Sequence, residues 1–468
     1  MRHNSILASG KHKNMNLFKY FVKSISFPLL SRRFGLKDLS GQLRQLELSQ
    51  YWPMEKMLEY QFKQIIKLLN HAYNTTTYYK VLLDEHSIKP NKIKSLEDFK
   101  KIPFLTKDRI RKNEASLIST AFFANQLHFS ETGGTTGVKM KFWRNNSCLA
   151  PKEASRYRFE KWTGWNIGDR MGLVWTAQRD YVGHWTTKAK IKNELFERQV
   201  VFPAAIIEKE VIEKYMIELQ QKKPTMIRAF TSPLYEVAKV ILEKGRGVSF
   251  VKGIVSTGEP LHGHQRKIIE KAFNCKVFDS YRSREAGPLA QECEEHNGLH
   301  INAESLYVEV IPPSKKDVFD QEVGEIVITD LLNFGMPLIR YKMGDIGIIT
   351  KRKCPCGRGL PLLKQISGRS ADMLSTPDGK QITAGSLVLY LVDEAPGTLG
   401  QVQIIQDKID HLLIRMTPDP LPSDEIKNYQ EQTVKRLFGD SMKVTFEIVD
   451  EIPRGKSGKY QFTKCMLE

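Results

Sequence analysis

The sequence predicts an α/β protein: a large N-terminal unit built on several sheets, followed by a small α+β unit. Three observations carry this expectation. From about residue 165 short apolar runs alternate with helical periodicity, the pattern of strands covered by helices. Residues 40–115 keep apolar side chains near helical spacing. Beyond Gly368 a second, shorter set of strands and helices fills the rest of the chain. A chain of 468 residues is also too long for one core and calls for two or three domains.

Leu17-Phe-Lys-Tyr-Phe-Val-Lys-Ser-Ile-Ser-Phe-Pro-Leu-Leu30 reads as a short amphipathic helix ended by Pro28. Lys19 and Lys23 make it too charged, and its length too short, to span a bilayer. The first 50 residues hold nine Lys/Arg against Asp38 and Glu47. Two readings are open for this segment: peripheral contact with an anionic membrane, or a helix packed on the domain. Neither the unbroken apolar centre nor the small-residue cleavage site of a signal peptide is clear in it, and the expected location is the cytoplasm. The next stretch repeats Leu43, Leu46, Leu48, Met54, Met57, Leu58, Phe62, Ile65, Ile66 and Leu69 near helical intervals.

Met171–Trp175 and 252–256 read as buried strands, with helices over 210–221 and 234–244. Residues 276–279, 307–311 and 325–329 continue the strands. In the C-terminal unit, helices are expected at 387–393 and 423–437, and strands at 402–406, 412–416 and 444–449. The expected division is 1–94, a helical region packed on the core, then the core 95–368, then a small unit 369–468, with the boundary at Gly368 to Asp372.

The chain carries 71 basic and 53 acidic residues, a formal charge of +18. Nucleic acid, an anionic membrane or a polyanionic small molecule would each suit that excess. No nucleic-acid reader motif is present, so nucleic acid is not an expected partner. Six cysteines are too few for a disulfide scaffold in a chain this long.

Ser130-Glu-Thr-Gly-Gly-Thr-Thr-Gly137 exposes backbone N–H groups and three threonine hydroxyls, the equipment for cradling a polyphosphate. It is not a Walker A loop, because Val138 follows the last glycine. Taken alone it could equally be a Gly/Thr hairpin. Further on come Val255-Ser-Thr-Gly-Glu-Pro260, Asp279-Ser-Tyr-Arg-Ser-Arg-Glu-Ala-Gly287, Pro337-Leu-Ile-Arg-Tyr-Lys-Met-Gly-Asp-Ile-Gly347, Gly368-Arg-Ser-Ala-Asp-Met-Leu374 and Ile452-Pro-Arg-Gly-Lys-Ser-Gly-Lys459.

In this order the motifs resemble the adenylate-forming superfamily, and within it phenylacetate–CoA ligase and its relatives in capsule and surface-polysaccharide biosynthesis. The likeness covers about residues 95 to 465. It implies a large adenylate-forming domain with a small mobile C-terminal lid. Thr132, Gly133, Gly134, Thr135, Thr136 and Gly137 match the loop around the β- and γ-phosphates of ATP. Gly258, Glu259 and Pro260 match the turn along the adenine, Tyr281 the aromatic stacked on it, and Asp345 the acid on the ribose hydroxyls. Glu285 matches the Mg²⁺-binding carboxylate, Arg369 the arginine beside the hinge, and Lys459 the catalytic lysine of the lid. The resemblance implies ATP- and Mg²⁺-dependent activation of a carboxylic acid, aromatic in the better-known members, and pyrophosphate release. The acyl group would then pass to CoA, a carrier thiol or a sugar amine. A non-catalytic nucleotide-binding component of a polysaccharide system is the alternative. Three motifs depart from the family pattern: Arg282 stands where glycine is usual, Ala371 replaces the first hinge acid, and Lys139 and Lys141 flank Met140 where Pro-Lys is usual.

Cys354-Pro-Cys-Gly is a tight turn that can aim two thiolates at one point. With Cys293 and a histidine it would complete a Cys₃His set for structural Zn²⁺, and relatives carry a similar cluster. His300 is the preferred fourth ligand and His296 the alternative; free thiols and solvated histidines are the reading without a metal.

Overall fold

The computed structural model describes residues 17–131, 140–175, 191–204, 209–245, 247–312, 322–369, 374–379, 381, 382, 387, 389–393, 395, 396, 399–418, 421–452 and 462–467. The mixed α/β architecture expected from the sequence is present. Its strands are β1 (Leu127–Glu131), β2 (Lys141–Asn145), β3 (Met171–Trp175), β4 (Gln199–Pro203), β5 (Met226–Phe230), β6 (Gly253–Thr257), β7 (Lys276–Ser283), β8 (Gly287–Glu292), β9 (Leu299–Ile301), β10 (Leu306–Ile311), β11 (Glu322–Asp330), β12 (Tyr341–Thr350) and β13 (Leu362–Arg369). The C-terminal unit adds β14 (Leu374–Ser375), β15 (Gln381–Ile382), β16 (Val402–Lys408), β17 (His411–Met416), β18 (Lys443–Ile448) and β19 (Thr463–Cys465).

Eleven strands form one sheet in the order β10-β11-β12-β13-β9-β8-β7-β6-β5-β3-β4. β4, β3, β5, β6 and β7 run parallel, and the remaining neighbours are antiparallel. Parallel strands covered on both faces must be apolar throughout, which is why Met171-Gly-Leu-Val-Trp175 and Gly253-Ile-Val-Ser-Thr257 are so nearly continuous. Helices Lys209–Lys222, Thr231–Glu243 and Gly263–Phe273 pack on one face through Met216, Leu219, Leu234, Ile241, Ile269 and Phe273. Helix Leu149–Lys161 lies on the other, with Ala154 and Tyr157 against Met171 and Val255.

The N-terminal helices are tied to the antiparallel half. Helix Met54–Thr75 buries Met57, Ile65, Leu68 and Leu69 against it, and Gln61 donates to the carbonyls of Ala303 and Leu306 at 2.9 and 3.0 Å. Arg158 is sealed in the same region, donating to Glu304 at 2.7 Å and Asn302 at 2.9 Å. Pairing of that kind is what makes a buried guanidinium tolerable.

Two local expectations need correction. Pro28 does not end the first helix: helical winding runs from Leu17 through a π-helical stretch, Val22–Ser26, to Phe27–Arg33. Pro28 falls in the first turn of that last stretch, where a missing N–H costs least. The helix expected from residue 234 begins at Thr231, because the Glu259 side chain serves its first turn. The C-terminal sheet, β18-β17-β16-β19, carries helix Asp424–Phe438, capped by Ser423, whose Oγ accepts from the Ile426 N–H at 3.3 Å. It has its own core of Leu374, Ile404, Leu412, Ile414, Val434 and Phe438.

Candidate active site and a cysteine–histidine cluster

β6 delivers the first part of the site. At its end Gly258 takes φ +82°, and a Cβ there would fall 2.3 Å from the Phe230 ring, so no other residue fits without displacing that ring. The Glu259 carboxylate accepts from the Ser232 N–H at 2.8 Å and from the Ser232 hydroxyl. An anion at a helix N-terminus answers otherwise unpaired N–H groups. Thr231 closes the turn by donating to the Glu259 carbonyl at 3.1 Å.

β7 and β12 bring the second part together. The Tyr281 hydroxyl donates to Asp345 at 2.6 Å. Glu285 is 7% exposed and accepts from the Tyr341 hydroxyl at 3.4 Å, while the same hydroxyl lies 3.8 Å from Met140 Sδ. Burial, then the charge on Asp345, holds Tyr281 protonated well above the usual phenol range. Burial, then Glu285, does the same for Tyr341. Both phenols therefore serve as donors to carboxylates. Tyr341 was not singled out from the sequence, although it sits inside the Pro337–Gly347 motif.

Gly258, Glu259, Pro260, Tyr281, Glu285 and Asp345 are thus described, the first five at and beyond the ends of β6 and β7 and Asp345 in the middle of β12. Asp345 pairs in register with Arg369 of β13, whose side chain lies outside the described residues. Thr132, Gly133, Gly134, Thr135, Thr136 and Gly137 also lie outside them, as do Ala371, Asp372 and Lys459. The strands flanking the first of these segments form an antiparallel hairpin, with Glu131 opposite Lys141. Phe462, three residues beyond Lys459, packs its ring 5.7 Å from that of His262, two residues beyond Pro260.

The cysteine–histidine group assembles as the first of the two sequence alternatives. Cys293, His300, Cys354 and Cys356 place one ligand atom each within 4.8 Å of one another. Cys293 Sγ is 3.6 Å from Cys354 Sγ, and Cys356 Sγ is 3.4 Å from His300 Nε2. A tetrahedral ion with Zn–S bonds of about 2.3 Å has edges of about 3.5–3.8 Å, which these two separations match, and the other donors lie within 4.8 Å. Burial pushes His300 down to about 4, leaving the neutral imidazole that a metal takes. His296 is engaged elsewhere: its Nδ1 lies 3.0 Å from Glu292, and its ring packs 4.8 Å from Phe278. β9 sets the outcome by pairing His300 with Leu362, while Gly298, at φ +99°, turns the chain between the two histidines.

Against known proteins, residues 374–465 match the model of the CapK C-terminal domain. Protein CapK of Staphylococcus aureus is 25% identical over 457 residues, covering 95% of this chain and 96% of that protein. Phenylacetate-coenzyme A ligase of Thermus thermophilus is 24% identical over 454 residues, covering 87% and 96%. A crystal structure of 2-hydroxyisobutyryl-CoA ligase, in the postadenylation state with an acyl-AMP, superposes with a TM-score of 0.70 over 89% of this chain and 90% of that one, at 22% identity. The fold is therefore that of the adenylate-forming ligases. Within that class the chain is a homologue of CapK and of the phenylacetate–CoA ligases, and it ends in a CapK C-terminal domain.

Proposed function

We propose that the protein is an adenylate-forming acid–CoA ligase: it activates a carboxylic acid with ATP, releases pyrophosphate and transfers the acyl group to CoA. The observation that carries this is the grouping of Tyr281 on Asp345 and Glu285 on Tyr341 beside the Gly258–Pro260 turn, in a chain homologous to acid–CoA ligases over most of its length. In this reading Tyr281 and the turn hold the adenine, Asp345 the ribose, and Thr132 to Gly137 the terminal phosphates. Glu285 would bind Mg²⁺, which when present neutralises phosphate charge. Lys459 brings a compact positive charge to the meeting of carboxylate and α-phosphate, offsetting repulsion and stabilising charge that develops there. Arg369 lies at the hinge of a lid formed by 369–468, a division supported by the separate core of that unit. Pyrophosphate release from Mg·ATP with a panel of aromatic, fatty and amino acids, with and without CoA, tests the reading. Release without CoA that is lost in Lys459→Ala is expected; silence across the panel and across dicarboxylic and phosphono acids as well would sink it.

Zn²⁺ is the ion proposed for Cys293, His300, Cys354 and Cys356. Four protein ligands leave no open position, so its part is to cross-link the turns that carry them.

A cytoplasmic protein with a peripheral membrane contact completes the proposal. Leu17, Phe21, Ile25 and Leu29 recur at every fourth residue and are 75, 40, 48 and 64% exposed, beside Lys23, Arg32 and Arg33. Among the described residues no helix is long and apolar enough to cross a membrane. An exposed apolar stripe with basic neighbours suits an anionic lipid surface. Sedimentation with phosphatidylglycerol vesicles should pull the protein down at low salt. Phe21→Ser with Ile25→Ser should reduce that severalfold, and equal recovery of both proteins would refute the contact.

A further inference from the structure

Arg282 occupies a position usually held by glycine in the resemblance, and the structure gives its side chain a defined setting. Its Nε donates to Ser280 Oγ at 2.8 Å and its terminal nitrogen to Gln291 Oε1 at 3.2 Å. Bonding to a residue two positions back puts Arg282 on the Ser280 side of β7, away from Tyr281, which reaches Asp345. That side of the sheet faces helix Leu149–Lys161, and Gln291 itself donates to the Phe159 carbonyl of that helix at 2.7 Å.

Four more charged groups meet there. Arg228 of β5 donates to Glu160 at 2.5 Å, and Arg156 bonds Glu160 and Glu153 at 2.7 Å each. Two carboxylates therefore answer two guanidiniums. Arg282 is the third guanidinium, both of its partners are neutral oxygens, and no carboxylate pairs with it among the described residues. Burial, then the charge of Arg228, pushes Arg282 down to about 9, which still leaves it cationic at neutral pH. Glu160 and Glu153 act on it only through space and are already bonded to Arg156 and Arg228, so a half-buried guanidinium without a bonded carboxylate is a cost that an incoming anion would reduce. Arg228 in turn lies against aromatic rings: its guanidinium is 5.8 Å from the Trp175 ring, and Trp175 packs 4.3 Å from Phe230.

We propose that Arg282, backed by Arg228, forms a subsite for a second anionic group on the acid substrate, so that the enzyme activates a carboxylic acid bearing a further carboxylate or phosphate. The inference rests on the adenylating reading, because Arg282 lies between Tyr281 and Glu285 in the chain. A planar fork that is cationic at neutral pH is suited to either anion through paired hydrogen bonds.

ATP–pyrophosphate exchange should be measured with glutarate and adipate, with pentanoate and hexanoate, and with 3-phosphonopropionate. The native enzyme is expected to prefer a dianionic acid over its monoacid by at least about tenfold in kcat/KM. Arg282→Gln should collapse that ratio toward unity, and Arg282→Lys should restore part of it. The better of the ω-carboxylate and ω-phosphonate identifies the second anion. A native preference for the monoacids, or an equal loss on both classes in Arg282→Gln, would overturn the subsite and leave adenylation standing. If no acid supports exchange, calorimetric titration of the same dianions into native and Arg282→Gln protein decides the subsite without turnover. Binding lost in the variant upholds it, and no binding to the native protein overturns it.

Discussion

Glu285→Gln should lower pyrophosphate release roughly a hundredfold, the scale of removing one electrostatic contact to a reacting centre, ~2.7 kcal/mol. Melting should barely change. The amide keeps an oxygen that can accept from the Tyr341 hydroxyl, so the buried pair survives; what goes is the negative charge a hard cation prefers. Raising Mg²⁺ should recover part of the loss. Glu285→Ala is the poorer test, because among the described residues it leaves the buried Tyr341 hydroxyl with Met140 Sδ as its remaining partner and opens a cavity beside it. A Gln variant as active as the native enzyme at limiting Mg²⁺ would remove Glu285 from the proposed metal site.

The second large effect is expected at the cysteine–histidine cluster. Metal analysis of native protein should find about one Zn per chain, and Cys356→Ser should lose it. An ion held at about a thousand times its dissociation constant contributes about 4 kcal/mol to the folded state. Its loss should lower the melting temperature by on the order of 10 °C. His296→Ala should retain the metal and His300→Ala should not, since only His300 stands against Cys356. Native protein that is metal-free, folded and unaffected by a chelator would eliminate the site.

Much of the fold was legible where burial is two-sided. Met171–Trp175 has the bounds expected of it because every residue of a covered parallel strand is apolar. β7 was expected to stop at Asp279 and runs to Ser283. Its last residues are polar because they bond to side chains of other strands, Tyr281 to Asp345 and Arg282 to Gln291. β8 and β9 were missed for the same reason: Gln291, Glu292 and His300 are buried polar residues that break an apolar pattern. Their hydrogen-bond partners, Phe159 and Arg266, come from distant segments. β19 is three residues long and pairs in parallel with β16, too short to leave a periodicity. Motif order singled out Glu285, Tyr281 and Asp345, which the fold groups, and the sequence preferred His300 to His296 as the partner of the three cysteines. That choice depends on β9 pairing with β13, a contact between residues 62 positions apart.

Gly258 has a further consequence for how such an enzyme could change its diet. The turn proposed for the nucleotide rests directly on Phe230, and Phe230 on Trp175. A bulkier or shifted ring at either aromatic would press back on the backbone that all substrates share. Selection for a new acid is therefore expected to leave Phe230 alone and to act on Arg282 and Arg228, whose replacement alters charge without moving that turn. Descendants of this chain should diverge in what they activate mainly by redistributing two guanidiniums.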